Sequence, residues 1–488
     1  MNPTTTTETF TMHTPLLRRR ALLTLAAASL LTACATPPGG ISSADAQPAI
    51  VFVHGNGDTA ALWTTTLWRW ESNGWPRAKL HAVDFPYPSA RDDNTKDQPG
   101  RSSADDQMRH LAAEVDKVLA ATGAVKVVLM GNSRGGNAIR HYIANWKEGG
   151  GGAAKVSHAI LGGTPNHGVW SNPGFRPNNE FNGAGPFLTA LNAPKGRDGR
   201  PLPAGTEGDE VTPGVQWMTI RSDNNDKFAQ PDGVWIGAKG TPTNVTFDGP
   251  ALKGANNVVL PGRDHREVSY HPEAFAAAFR FVTGRAPATT SALHITPEAA
   301  VTLSGKVTGF TAGGPTNLPL PGARLQVFVT DAATGERRGA ALVDQTIGAD
   351  GRWGPLRTDS RTPLEFVLDA PGSAISHTYR APFLRSSDIV HLRPERAIAD
   401  ADKDAAAIVT FSRPRAYFGL PRDVVLLNGE TGPGIPPGVA GVATSKRKFA
   451  APGQVVTGEF RSGIVNERIA GRTWPAAERR VTVLELHE

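Results

Sequence analysis

Short apolar runs rich in β-branched residues recur at 48–53, 79–85, 125–130, 156–161, 215–220 and 256–260. Runs of this length, bounded by Gly, Pro, Asn and Asp, read as strands buried on both faces. Between them lie stretches with the helical period. In 104–122 the apolar residues Met108, Leu111, Val115, Val118 and Leu119 recur at helical spacing, and 137–145 and 273–282 read as further helices. This alternation predicts an α/β domain over 48–285, a mostly parallel sheet with helices on both faces. Its site is expected at the C-terminal edge of the strands. The segment 286–298 is a linker by composition, and beyond it the period changes to two. Alternation over 323–330, turns at 331–335 and 349–354 and a run at 363–368 predict a β-sandwich-like module over 299–398. Short strands at 407–411, 423–427 and 480–486 make 399–488 a second β-rich region, either a separate module or the rest of the same β-structure.

Composition changes this picture little. The 488 residues exceed one ordinary core, and 53 Gly with 39 Pro suit turns and long loops. A net charge of +6, with no Lys/Arg cluster interleaved with aromatics, predicts no nucleic-acid site.

The N-terminus reads as a targeting segment over 1–34. Arg18, Arg19 and Arg20 precede an apolar run over 21–31 that is too short to span a bilayer. The run ends in Leu31-Thr32-Ala33-Cys34, which resembles a bacterial lipobox. Cys34 is the only cysteine of the chain, and its expected use is lipidation, anchoring the protein to a membrane through a tether over 35–47. The expectation is therefore an exported protein, either an envelope lipoprotein at the periplasm or cell surface or a secreted one. Arg19-Arg20-Ala-Leu-Leu also resembles a twin-arginine signal.

The chemistry centres on Gly131-Asn132-Ser133-Arg134-Gly135. In a chain so rich in glycine the pentapeptide alone is weak, but here a strand precedes it and a helix follows. That setting is a nucleophile elbow, with Ser133 on a sharp turn. Gly131 and Gly135 are expected to supply both strained backbone angles and room, and the helix N-terminus to favour negative charge at the serine. A serine nucleophile needs a base and a carboxylate behind it. His265 follows the final strand run, while His271, before Pro272, suits a helix cap. After the 215–220 run three carboxylates are available, Asp223, Asp226 and Asp232. The Asp-rich loop over 89–106 shows no ligand spacing for a metal. The irregular 169–214 segment, with Trp170, Phe175, Phe181, Phe187 and Leu188, is either a lid or acyl-pocket wall, or an ordinary packed loop.

His54-Gly55-Asn56, the serine elbow, Gly163-Thr164-Pro165, 222–231 and Leu260-Pro-Gly-Arg-Asp-His265 together resemble lipases and esterases of the α/β-hydrolase superfamily. They are similar to bacterial and archaeal lipases with a β-rich extension. The order Ser133, Asp226, His265 is that superfamily's order. The resemblance implies Asp226 as the acid, because Lys-Phe-Ala-Gln-Pro follows it, with Asp223 as the alternative. It implies an oxyanion hole from the backbone N–H groups of Asn56 and Arg134, with His54 bracing its loop. It also implies a small-molecule or lipid ester as substrate and no metal or organic cofactor. The same parts also suit a polyester depolymerase or a thioesterase, and a non-catalytic envelope lipoprotein that binds a ligand is a further reading. Two departures, Asn132 before the serine and Arg134 after it, bear on the substrate. The segments 304–309 and 319–327 resemble small transthyretin-like or carboxypeptidase-regulatory β-sandwiches.

Overall fold

The computed structural model describes residues 47–488 apart from Ala204. The expected export signal, Cys34 and all of the tether but Gln47 lie outside the described residues. Six strands, β1 (Ala49–Val53), β2 (Leu80–Val83), β3 (Val127–Asn132), β4 (Val156–Gly162), β5 (Gln216–Arg221) and β6 (Asn256–Val259), form one sheet. Its order is β2-β1-β3-β4-β5-β6, and every pairing is parallel. The helices are α1 (Thr64–Ser72), α2 (Ala104–Thr122), α3 (Arg134–Asn145), α4 (Pro186–Leu191), α5 (Glu267–Tyr270) and α6 (Pro272–Thr283).

Alternate residues of β1 explain the two covered faces. Ala49, Val51 and Val53 pack with Leu111 and Val115 of α2 and Ile139 and Tyr142 of α3. Ile50 and Phe52 point the other way, to Leu67 and Trp70 of α1 and Phe275 and Phe279 of α6. Local signals set the ends of α2. Ser103 and Asp106 form a reciprocal capping box, and Gly123 ends the helix in the left-handed region at φ 67°.

The β half departs from the two-region plan. An eight-stranded sheet follows the path Val343–Thr346, Arg324–Val329, Leu364–Asp369, Ser373–Arg380, Arg480–Glu485, Ala407–Ser412, Thr444–Phe449, with Glu395–Arg396 beside Ser373–Arg380. Arg480–Glu485 pairs in parallel with both neighbours, one from each expected region. The boundary expected between 398 and 399 is thus crossed by a continuous sheet, and 399–488 continues the same β-structure. Period-two patterning marks strands but does not say which strands pair, so this junction was open in the sequence.

Nor does the linker separate the halves, since the described residues from Gln47 to Glu488 fall in one compact unit. Helix α1 shows why. Its Leu67 and Trp70 face the parallel sheet, while Trp68 enters the β core with Leu303 and Phe383 and donates from Nε1 to the Ser386 carbonyl at 3.0 Å. Arg69, fully buried beside it, donates to the carbonyls of Tyr270 and Leu293 (both 2.9 Å) and pairs with Glu488.

Candidate active site

Ser133 stands between β3 and α3 with φ 52° and ψ −122°, a strained setting for a residue with a side chain. The strain falls on the serine itself, because neither Gly131 nor Gly135 takes a positive φ. The two glycines serve by close approach instead. A Cβ on Gly135 would sit 2.5 Å from the Val53 carbonyl oxygen, and one on Gly131 would sit 2.8 Å from the Gly136 nitrogen. Both backbones are pressed against neighbours that cannot move aside, so the tight turn needs them bare.

The loop after β6 brings His265 to the serine, with Nε2 2.9 Å from Ser133 Oγ. Its Nδ1 lies 3.0 Å from both carboxylate oxygens of Asp226, in the loop after β5. His265 and Asp226 are buried, and the Phe228 ring meets the imidazole edge-on at 4.6 Å between centroids. The carboxylate is held by its own turn, accepting from the Phe228 amide at 2.8 Å. Asp223 is placed otherwise: it accepts from the amides of Asn225 (3.1 Å) and Gly262 (2.9 Å), tying the β5 loop to the β6 loop. Asp232 caps a turn by accepting from the Val234 amide. His271 is the N-cap of α6, accepting from the Glu273 amide, and burial lowers its imidazole to about 3. His54 lies under its loop, with Nε2 taking the Phe85 amide at 3.1 Å.

The expected oxyanion donors are open. Among the described residues no protein acceptor takes the backbone N–H of Asn56 or Arg134, and the Asn56 side chain holds its loop by accepting from the Ala90 amide at 2.7 Å. The Arg134 cation is not in the pocket. Its buried guanidinium pairs with buried Glu180, with Nη2 2.8 Å from Oε2, and donates to Ser102 and to the Pro88 carbonyl. Asn132, the other departure, donates from Nδ2 to Ser269 Oγ at 2.8 Å and so braces β3 against α5.

A cavity of about 270 Å³ opens at Ser133, lined by Asn56, Trp170, Phe181, Trp235 and Tyr417 among others. Trp170 and Phe181 come from the 169–214 segment, which therefore walls the cavity. A second cavity of about 350 Å³ reaches His265 and Asp226 from the side of Thr164, Phe247 and Leu252, without touching Ser133.

Tyr417 belongs to the β half, and it is not alone there. Its amide donates to Asp264 Oδ2 at 2.8 Å, next to His265 in sequence. Arg413 Nη2 and Arg422 Nη1 bind the two oxygens of Glu267 at 2.8 and 2.7 Å, and Arg266 reaches the Pro414 carbonyl and Asp58. Asp264, Glu267 and Arg413 are all buried. Burial and the like charge of Glu267 push the Asp264 carboxyl up to about 6. Burial works to raise Glu267 too, but Arg413 and Arg422 outweigh it and hold that carboxyl low. The turn that carries His265 is thus gripped by residues about 150 positions away. Sequence reasoning missed Arg413, Tyr417 and Arg422. The clustering of arginines over 413–422 was the available signal, and it names no partner.

Residues 299–397 match the family model described as lipase C-terminal domain. Among solved structures the chain is similar to the mature form of the Bacillus licheniformis lipase BlEst2, with 19% identity, 49% of this chain and 93% of that one covered, and a TM-score of 0.33. Its propeptide form gives 15% identity over 88% of this chain and 93% of that one, at a TM-score of 0.34. Phospholipase PlaB from Legionella pneumophila gives 13% identity over 72% and 94%, at a TM-score of 0.32. A parallel α/β half thus runs into a β half whose residues 299–397 resemble the C-terminal domain of lipases.

Proposed function

We propose that this chain is a serine carboxylic-ester hydrolase that cleaves acyl esters through an acyl-enzyme. The observation that carries the reading is the relay from Ser133 Oγ through His265, at 2.9 Å, to Asp226, at 3.0 Å. Ser133 attacks the ester carbonyl while His265 takes its proton, and Asp226 fixes the tautomer and stabilises the imidazolium. The N–H groups of Asn56 and Arg134 hold the oxyanion. His265 then protonates the leaving alcohol, and water, activated by the same imidazole, frees the acid. The cavity at Ser133, about 270 Å³, lies at the small end of ligand pockets. Its size supports a short acyl group, and its walls set Trp170, Phe181 and Trp235 beside the charged Asp92, Arg101 and Arg176. The signal-like segment and Cys34 support export and a lipid anchor in the cell envelope.

The test is hydrolysis of p-nitrophenyl esters from acetate to palmitate by the signal-free protein and its Ser133→Ala variant. Turnover that falls by about 10⁴-fold or more in the variant, with a preference for shorter chains, is the expected result. A folded protein that turns over no ester, or a variant as active as the parent, would sink the reading.

A further inference from the structure

We infer that a cavity between the two halves, remote from Ser133, binds a phosphate group in the field of Arg393, Arg396 and Arg415. The cavity, about 500 Å³, lies between the loop after β1 and the β-half segments 378–396, 414–415 and 483–487. Two of its ion pairs close on themselves, Arg266 with Asp58 and Arg380 with Glu485. The other three arginines on its wall have no carboxylate partner among the described residues. Arg415 is buried, and its donors go to the carbonyls of Ala61 (2.7 Å), Leu62 (3.2 Å) and His487 (3.0 Å), all neutral. Arg393 donates to the Thr316 carbonyl and to Asn317 Oδ1, both at 3.0 Å and both neutral. The Arg396 side chain makes no hydrogen bond among the described residues and lies over the Phe310 ring at 4.5 Å.

The remaining titratable groups do not cancel this charge. His391 is bound to Asp84, at 2.9 Å. His487 is pushed down to about 3, by burial and then by Arg415, so it is neutral at pH 7. Glu395 pairs with no cation among the described residues, and the protein atoms crowded around it together with the charge of Glu485 push its carboxyl up although its surface is exposed. On the cavity wall five arginines, Arg266, Arg380, Arg393, Arg396 and Arg415, face three carboxylates, Asp58, Glu395 and Glu485, an excess of two positive charges that a phosphate group would complement. The buried Arg415 guanidinium has no carboxylate at ion-pair distance among the described residues, and burial lowers it to about 10 even though Glu485, Glu488 and Glu467 act on it from further away. An oxyanion supplies the missing charge, and guanidinium forks suit phosphate oxygens. The phosphate is either free in solution or a lipid headgroup, and the inference does not rest on the Ser133 reading.

The experiment titrates inorganic phosphate into the purified protein by calorimetry, replacing chloride at constant ionic strength, and follows the melting temperature in parallel. In a second arm it measures binding to phosphatidylcholine vesicles with and without phosphatidylglycerol. The expected result is saturable binding of phosphate, of phosphatidylglycerol vesicles, or of both. Phosphate alone assigns the site to a free ion, and vesicles assign it to a headgroup. Arg396→Glu should weaken that binding by about tenfold or more. Because the Arg396 side chain makes no hydrogen bond or ion pair among the described residues, only its contact with the Phe310 ring, the unliganded melting temperature of this variant should lie close to the parent's. Glu395→Gln should tighten binding. If neither probe binds, or if Arg396→Glu binds as the parent does, the inference is overturned.

Discussion

The parallel-sheet half and the β half reach Ser133 by different routes. In the first, each part of the relay sits at or just beyond a strand end, and one turn of backbone positions it: Ser133 after β3, Asp226 after β5, His265 after β6. The second brings nothing to the relay itself. It brings Tyr417 to the cavity wall and Arg413 and Arg422 to the carboxylates on either side of His265. Groups that carry out the proposed chemistry thus come from strand ends, where few residues fix them. Groups that hold the chemistry still come from far along the chain.

The comparison breaks first if the β half is dispensable. Deleting everything after Arg285 strips Trp68 and Arg69 of their partners and leaves Asp264 and Glu267 buried without cations. The expected outcome is no ordered tertiary structure by near-UV circular dichroism and no hydrolysis of even p-nitrophenyl acetate. A truncated chain that turned over acetate would make the β half an accessory. Next in size, Asp226→Asn should lower kcat by about 10⁴-fold, the effect of losing the correct tautomer. Asp223→Asn, which touches only the loop tie, should lower it by less than about tenfold. Equal losses from the two would reopen the choice of acid.

A smaller effect separates holding from reacting. Arg413→Met leaves Glu267 buried beside one fewer cation, which costs about 3–5 kcal/mol for a broken buried pair. Urea unfolding reads this directly, and an unchanged midpoint would mean that the grip on the His265 turn is weak. An effect of similar size, summed over two groups, is a pH slope to which both halves contribute. His271 in one half and His487 in the other are each lowered to about 3, in both cases chiefly by burial. Their folded-state values lie below the unfolded value near 6.5, so below pH 6.5 the unfolded chain takes up protons that the folded chain refuses. Stability then falls with falling pH, on the order of 3 kcal/mol for each histidine between pH 6.5 and 4. Calorimetric melting across that range should show the fall, and His487→Asn should flatten it.

Much of the first half was legible. A strand buried on both faces shows as an unbroken apolar run, and β1 and β4 stand within one residue of their predicted limits for that reason. The position of the serine turn was readable because Gly131 and Gly135 are needed by contact, although the strain lies on Ser133 rather than on them. The separation of Asp226 from Asp223 was not readable from spacing. Both follow β5, and a single turn decides which faces the imidazole and which ties the two loops. The environment of Arg134 was equally hidden, since its partner Glu180 lies 46 residues away inside an irregular segment. In the β half, strands were legible and their partners were not. Pairing in a sheet depends on which distant segments meet, and alternation carries no address.

The central place of Arg480–Glu485 has a consequence for how the chain is made. Ribosomal synthesis runs from the N-terminus, so this strand emerges after both of its neighbours in the sheet, which must wait for it. A nascent chain that has yet to release it holds two open edges, Ser373–Arg380 and Ala407–Ser412, each able to pair with a stranger. The eight-stranded sheet therefore stays in two pieces until Arg480–Glu485 has been made.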